Sequence, residues 1–479
     1  MTHRIALWLV SVGFAVSAPL LSAAPARPNV LLIICDQMHA GMLSCTGNPW
    51  VKTPALDALA RDGARFERAY CANPVCVPSR FSMMTGVLPS RIAMESNAEV
   101  GNAVPAEVMA HAMGRVFSEA GYKTAYGGKV HLPGGGRAQN YGFAENLTTD
   151  QKSDLARKSV EFIQARHDRP FLLVASFINP HDICYMAISA HAQSQGSENI
   201  KGGKKAKARP SVQTDLAQAM ALPAGVSRAE FFARLCPPLP SNYAIPTNES
   251  DALLSVDDRS FRTYVRQHWS EEDWRLHRWA YARLTESVDA QIGVLLAGLA
   301  EAGLDRNTLV VFVSDHGDMD GAHKLEHKSV PYEEAVHVPF LVRLPGVVKA
   351  GLVDKEHLVS TGLDLIPSLC DLAGVPIPAG LPGRSVRPLV SGTSAPAWRT
   401  TLVVETRNAR LAHQGTWKYA VFGTGKIREE VHDLSADPGE LENLAVKPAG
   451  AAKLEQGRQA LKEWYLANGE KLAAGYLVK

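Results

Sequence analysis

Three short runs constrain this chain more than anything else in it: Asn29 to Cys35 (NVLLIIC), Phe171 to Phe177 and Leu309 to Val313. Each is continuously apolar and rich in leucine and β-branched residues, so a strand built from it has no face to give to water. Such strands belong in a parallel sheet with helices on both sides. Helical patterns lie between them, at Pro54 to Asp62 and from Glu271 to Ala302. The longer one opens on a capping box, Ser270-Glu271-Glu272-Asp273, and ends near Gly303. This alternation predicts a doubly wound α/β domain. In open sheets of that kind ligands gather at the carboxyl ends of strands. There the three runs give way to Asp36-Gln37, to Asn179-Pro180-His181-Asp182 and to Ser314-Asp315-His316-Gly317-Asp318.

The 479 residues leave room for one large domain and a smaller appendage, and a net charge of +2 carries no basic bias toward nucleic acid. Arg4, the apolar run Ile5 to Leu21 and the small residues Ser22-Ala23-Ala24-Pro25-Ala26 read as a signal peptide over residues 1–24, cleaved near Ala24 or Ala26. The run is short for a membrane span and holds Gly13 and Pro19. No second long apolar run follows, so the mature protein is expected to be exported, periplasmic or extracellular, with no membrane span. Seven cysteines in an exported chain leave at least one thiol unpaired or modified. A catalytic domain over residues 27–375 is expected, interrupted by an insertion over 184–260 that lacks sustained periodicity. The insertion carries Lys201-Gly-Gly-Lys-Lys-Ala-Lys, either a solvated, partly mobile segment or a basic lip for an anionic polymer. After the Pro- and Gly-dense stretch Pro376 to Pro396, strands at Thr401 to Glu405 and Lys418 to Phe422 precede one helical face of Leu454, Leu461, Trp464 and Tyr465. Residues 376–479 therefore read as a small α+β subdomain.

Several of these residues carry chemistry by type and spacing. Asp36 and Gln37 with Asp315 and His316, brought to one sheet edge, make a divalent-metal site. Hard oxygens suit Ca²⁺ or Mg²⁺, and the imidazole also admits Mn²⁺ or Zn²⁺. Lys129 and His131, two apart on an extended segment, point to one face and could bind an anion and protonate a leaving oxygen. Cys76-Val77-Pro78-Ser79-Arg80, followed by Thr85-Gly86, is a weak pattern until its company is counted.

That company resembles the type I sulfatases, the arylsulfatase family of the alkaline phosphatase superfamily. The Cys76 block is similar to the family's modification site, and Gly121-Tyr122-Lys123-Thr124 with Gly127-Gly128-Lys129-Val130-His131 to its second signature. His181, the segment His323-Lys324-Leu325-Glu326-His327-Lys328, Tyr332-Glu333 and Val338-Pro339 continue the resemblance in order, to about Pro345. It resumes at Val431-His432-Asp433-Leu434 and Asp437-Pro438-Gly439-Glu440-Leu441-Glu442-Asn443-Leu444.

The resemblance implies a large mixed, mostly parallel sheet sandwiched by helices, with the smaller C-terminal α+β subdomain. It implies that a formylglycine-generating enzyme oxidises Cys76 to formylglycine, whose hydrate supplies the nucleophilic oxygen. It also implies one Ca²⁺ per chain, with Mg²⁺ or Mn²⁺ as alternatives, held by Asp36, Gln37, Asp315, His316 and position 76. Gln37 departs from the second Asp of many members and replaces an anionic ligand with a neutral one. Arg80, Lys129 and Lys328 would meet charge on the sulfate, with Lys328 rather than Lys324 in the family's lysine position. His181 would protonate the leaving alcohol and His131 steady the second hydroxyl, while Asp318 or Gln37 assists deprotonation. The implied activity is that of a secreted sulfatase hydrolysing sulfate monoesters, acting on a sulfated carbohydrate. A phosphonate or phosphate ester hydrolase of the same superfamily and an inactive glycan-binding protein are the rival readings.

Overall fold

The computed structural model describes residues 27–196, 210–254, 260–392, 397–469 and 472–478. The expected signal peptide and the basic stretch Lys201 to Lys207 lie outside the described residues. The first half of the chain supplies β1 (Asn29–Asp36), β2 (Ala64–Phe66), β3 (Ala69–Tyr70), β4 (Lys123–Gly128), β5 (Glu145–Asn146) and β6 (Phe171–Pro180). The second half adds β7 (Thr308–Ser314), β8 (Phe340–Arg343), β9 (Leu352–Asp354) and β10 (Val359–Ser360), then β11 (Leu402–Glu405), β12 (Ala409–His413), β13 (Trp417–Phe422) and β14 (Glu429–Asp433).

Eight strands form one sheet in the order β5-β4-β6-β1-β7-β8-β2-β9. β1 lies at its centre, parallel to β6 and β7, and β8 alone runs antiparallel to its neighbours. The sheet is therefore mixed and mostly parallel. The alternation in β1 shows why a continuous apolar run suits this position. Val30, Leu32 and Ile34 enter the core on one face, while Leu31, Ile33 and Cys35 enter the core on the other. Every residue of the strand is buried, so a polar one anywhere but its end would be stranded in apolar surroundings.

The helix Glu271–Glu301 covers one face. Ser270 Oγ accepts from the Asp273 amide at 3.2 Å and the Asp273 carboxylate accepts from the Ser270 amide at 2.9 Å, which closes the capping box. Ala280, Leu284, Val288, Ile292, Leu295 and Leu299 form its inward stripe. The stretch read as an aperiodic insertion is helical at Cys184–Ser194 and Pro210–Met220, and a further helix, Ser260–His268, begins at its end. Met186, Leu216 and Ala219 pack against the long helix in the same core. Each short helix buries only one to three apolar residues, too few for a period of 3.6 to stand out in the sequence. All seven cysteines are free. Among the described residues no helix is long and apolar enough to cross a membrane.

The four C-terminal strands form an antiparallel sheet in the order β11-β12-β13-β14, with both faces covered. Val403, Ala412, Tyr419, Val421 and Val431 pack under Leu461 and Tyr465 of the helix Ala451–Ala467. On the other face Leu402, Val404, Leu411 and Phe422 join Met319, Leu325, Val330 and Tyr332 from the loop after β7. That interface also holds buried charge. Lys418 on β13 sits between Glu333 and Glu440, 3.2 and 2.5 Å away, and donates to the Pro331 carbonyl at 2.8 Å.

Gly128 ends β4 in the left-handed region at φ 88°, where a Cβ would run into the Ser176 carbonyl oxygen and the Leu155 side chain. The next residue, Lys129, donates its amide to that same carbonyl at 2.8 Å. Gly128→Ala should therefore destabilise the protein by roughly 3 kcal/mol, the sum of backbone strain and overpacking. An unchanged thermal midpoint in the purified variant would contradict this account of the turn.

Candidate active site

The carboxyl ends of β1, β4, β6 and β7 lie side by side, and the polar residues that follow them converge. Asp36 closes β1, and Asp315 and His316 follow β7. Cys76 is the first residue of the helix Cys76–Thr85, which places Arg80 one turn further along and also inward. The ligand atoms of Asp36, Cys76, Asp315 and His316 all lie within 4.8 Å of one another, and all four residues are buried.

Arg80 holds this group together. Its Nε donates to Asp315 Oδ2 at 2.8 Å and its Nη2 to Asp36 Oδ2 at 3.0 Å, while Nη1 reaches Ser176 Oγ at 2.7 Å and the Lys129 carbonyl at 3.0 Å. The Ser79 hydroxyl donates to the Asp315 carbonyl. Lys129 Nζ stands 2.5 Å from Asp36 Oδ2. Lys328 Nζ is 2.9 Å from both Cys76 Sγ and Gln37 Oε1, and His316 Nε2 is 3.2 Å from Cys76 Sγ. Lys324 stays outside, its ammonium 5.2 Å from the centre of the Tyr243 ring.

Two orientations follow from hydrogen-bond chemistry. His316 Nδ1 lies 2.9 Å from the Gly317 carbonyl, which can only accept, so Nδ1 carries the hydrogen and Nε2 turns a lone pair toward the cluster. Gln37 donates its amide nitrogen to Asp318 Oδ2 at 2.6 Å, which turns Oε1 inward. Asp318 also accepts from the His327 and Asp320 amides, at 3.1 and 2.8 Å. Its carboxylate thereby orients Gln37. Two carboxylates, an amide oxygen and an imidazole nitrogen with a free lone pair fit a hard divalent cation.

The electrostatics agree. Burial opposes ionisation of Asp36, but Lys129, His181, Lys328 and Arg80 hold it well below the usual carboxylate range. Asp315 is pushed up to about 6 by burial and by Asp36, against the pull of His316 and Arg80. Two like charges share this site, and a cation between them would favour ionisation of both. Burial and Asp36 push the Cys76 thiol up, yet Lys129 and Lys328 outweigh them and hold it well below the ordinary thiol range.

The two histidines differ. His181 follows β6, and burial, with Lys129 next, pulls it below the usual imidazole range. Its Nδ1 is 4.0 Å from Asp182 Oδ1 and from Cys184 Sγ, and its ring meets Tyr185 edge-on. His131 is not on an extended segment with Lys129. β4 stops at Gly128, and His131 is left-handed at φ 47°, so the alternation of a strand does not govern where it points. The half-buried His131 has no hydrogen-bond partner at Nδ1 among the described residues. Sequence reasoning missed Ser176, whose hydroxyl anchors Arg80. Its signal was a lone polar residue inside the buried run FLLVASF.

The chain as a whole has relatives among known proteins. Residues 28–375 match the sulfatase family model, and residues 321–465 match the C-terminal model of N-sulphoglucosamine sulphohydrolase. The chain is 27% identical to a Δ4,5-hexuronate-2-O-sulfatase of Bacteroides thetaiotaomicron, covering 92% of this chain and 89% of the relative. It is 32% identical to a choline-sulfatase of Rhizobium meliloti, covering 88% and 83%. Among solved structures, a 2-O glycosaminoglycan sulfatase superposes with a TM-score of 0.75 at 26% identity, over 92% of this chain and 93% of that one.

Removing the guanidinium leaves two buried carboxylates facing each other without their shared partner. Arg80→Met should cost about 3–5 kcal/mol of stability, the usual loss when one side of a buried ion pair is deleted. Denaturant titration of the variant checks this, and a loss below 1 kcal/mol would mean that Arg80 is not the residue that neutralises the pair.

Proposed function

Because the chain belongs to the sulfatase family and is a sulfuric ester hydrolase, we propose that it is an exported enzyme that releases sulfate from a sulfated carbohydrate, using a nucleophile made from Cys76. The observation that carries this reading is the convergence of Lys328 and His316 on the Cys76 sulfur beside two carboxylates. A sulfate monoester gathers charge on its oxygens as the S–O bond breaks, so a site that hydrolyses it must hold cations in place beforehand. Lys328 provides one such charge at position 76, and Lys129 a second beside Asp36. Arg80 keeps the carboxylates ionised and in register.

Oxidised to formylglycine and hydrated, position 76 supplies a geminal diol, one hydroxyl for attack on sulfur and the other for the collapse that frees sulfate. Asp36, Gln37, Asp315 and His316 would hold a divalent cation, Ca²⁺ by the family resemblance, which would supply positive charge to the site. His181 is assigned the proton for the leaving oxygen, as the family resemblance implies. His131 is assigned to the second hydroxyl. Residues 1–24 are read as the leader, 27–375 as the catalytic part and 376–479 as the C-terminal part. The sulfated-carbohydrate class is supported by the relatives named for hexuronate and glycosaminoglycan sulfates.

Protein made together with the maturation enzyme should yield a peptide spanning position 76 that is lighter than the cysteine form by roughly 18 Da. Cys76→Ala should abolish sulfate release from sulfated glycans while keeping its circular dichroism. Full activity in Cys76→Ala would remove the proposed nucleophile. Asp36→Ala and Asp315→Ala should each lower bound calcium and activity together, because each deletes both a ligand and a charge. Elemental analysis of the purified variants reads the first effect directly, and wild-type calcium content in both would refute the site.

A further inference from the structure

Lys328 reaches position 76 from a loop that bends back on itself. The Met319 amide donates to the His327 carbonyl at 2.8 Å and the Gly321 amide to the Leu325 carbonyl at 3.0 Å, which leaves Ala322, His323 and Lys324 at the tip. Five of its non-glycine residues are left-handed: Asp320, His323, Lys324, His327 and Ser329, with φ between 46° and 79°. Each carries a steric penalty, so such a loop keeps its shape only where surrounding structure over-determines it.

The over-determination is concentrated at His323, which is fully buried. Its amide donates to the Asn242 carbonyl at 2.8 Å, and its carbonyl accepts from Arg266 at 3.1 Å. Its ring stands edge-on to Tyr332, 4.2 Å between centres. Its Nε2 lies 2.8 Å from the carbonyl of Gly439, which can only accept, so Nε2 carries the hydrogen and donates. Burial keeps this imidazole below its usual range and therefore neutral.

Gly439 belongs to the C-terminal turn Asp437–Asn443, a motif that the chemistry at position 76 leaves unexplained. The turn is rigid in its own right. Glu440 accepts from the Glu333 amide at 2.7 Å and pairs with Lys418, Asp437 accepts from the Glu442 amide at 2.8 Å, and Asn443 accepts from the Val431 amide at 3.1 Å. The loop's apolar residues Met319, Leu325 and Val330 are buried against β11 and β12 beside it.

We propose that His323 is a positioning residue that ties the turn Asp437–Asn443 to the tip of the Lys328 loop, so that the C-terminal sheet sets where the Lys328 ammonium stands over position 76. This rests on the role given to Lys328 above. His323→Phe keeps the ring and its packing but removes the donor, whereas His323→Gln returns a nitrogen donor at nearly the same reach. Both are to be compared in wild-type and Lys328→Ala backgrounds, with kcat and KM for an aryl sulfate and a melting curve for each.

Lys328→Ala alone should slow turnover by roughly 10²-fold, the loss expected for a charge that meets the developing sulfate charge. His323→Phe should lower kcat by about 10-fold with a folded melting profile, and His323→Gln should recover most of it. In the Lys328→Ala background His323→Phe should change kcat by less than about twofold, since residues that act through one another are not additive. An equal loss in both backgrounds, no loss in the wild type, or a His323→Gln variant as slow as His323→Phe would each overturn the proposal. Full activity of Lys328→Ala would instead overturn the reading on which it rests. If His323→Phe fails to fold, His323→Asn, whose shorter amide falls short of Gly439, is judged by the same criteria.

Discussion

A single guanidinium organises the centre of this protein. Arg80 spends its donors on Asp36 at the end of β1, on Asp315 after β7, on Ser176 within β6 and on the Lys129 carbonyl after β4. Four neighbouring strands are thus indexed to one planar fork whose geometry leaves little freedom. The arrangement solves an electrostatic problem as well as a geometric one. Two carboxylates buried together repel, and only a charge fixed between them lets both face the same space. Once they are fixed, Cys76, one helical turn before Arg80, has its position set by the same interaction.

The neutral members of the site are turned by their neighbours. Asp318 turns the Gln37 amide, and the Gly317 carbonyl turns His316. Both leave a lone pair aimed inward without adding charge. The replacement of a second carboxylate by Gln37 therefore lowers the negative charge of the site, while Asp318 returns an anion one bond further out. Lys328, which contacts Gln37 as well as Cys76, would feel a stronger pull from a carboxylate at position 37 than from an amide.

Much of the fold was legible because burial on both faces leaves an unmistakable mark in sequence. The β1, β6 and β7 runs announce a covered, mostly parallel sheet, and the Ser270 capping box announces the long helix. The polar residues at strand ends were legible for the same reason, since an abrupt change after an apolar run marks the mouth of such a sheet. What escaped was anything dependent on short elements or on partners far along the chain. The helices of 184–260 bury too few residues to show a period, and the left-handed turn of His131 has no signature in its neighbours. The hydrogen bonds by which Ser176 anchors Arg80, Asp318 turns Gln37 and His323 reaches Gly439 join residues 96, 281 and 116 positions apart, and one sequence holds no trace of such pairings.

The interface between the two sheets also imposes an order in time. Position 76 leaves the ribosome about 360 residues before Glu440, which closes on Lys418 and Glu333 to complete the setting of the Lys328 loop. At synthesis rates of about 5–20 residues per second, that delay lasts roughly 20 to 70 seconds. For that interval the chain carries its central cysteine without the strands that finally enclose it. Afterwards its relative exposure is 1%, too little for a protein-sized reagent to reach the sulfur. Covalent chemistry on position 76 by another protein would therefore need a chain in which the C-terminal turn has not yet closed.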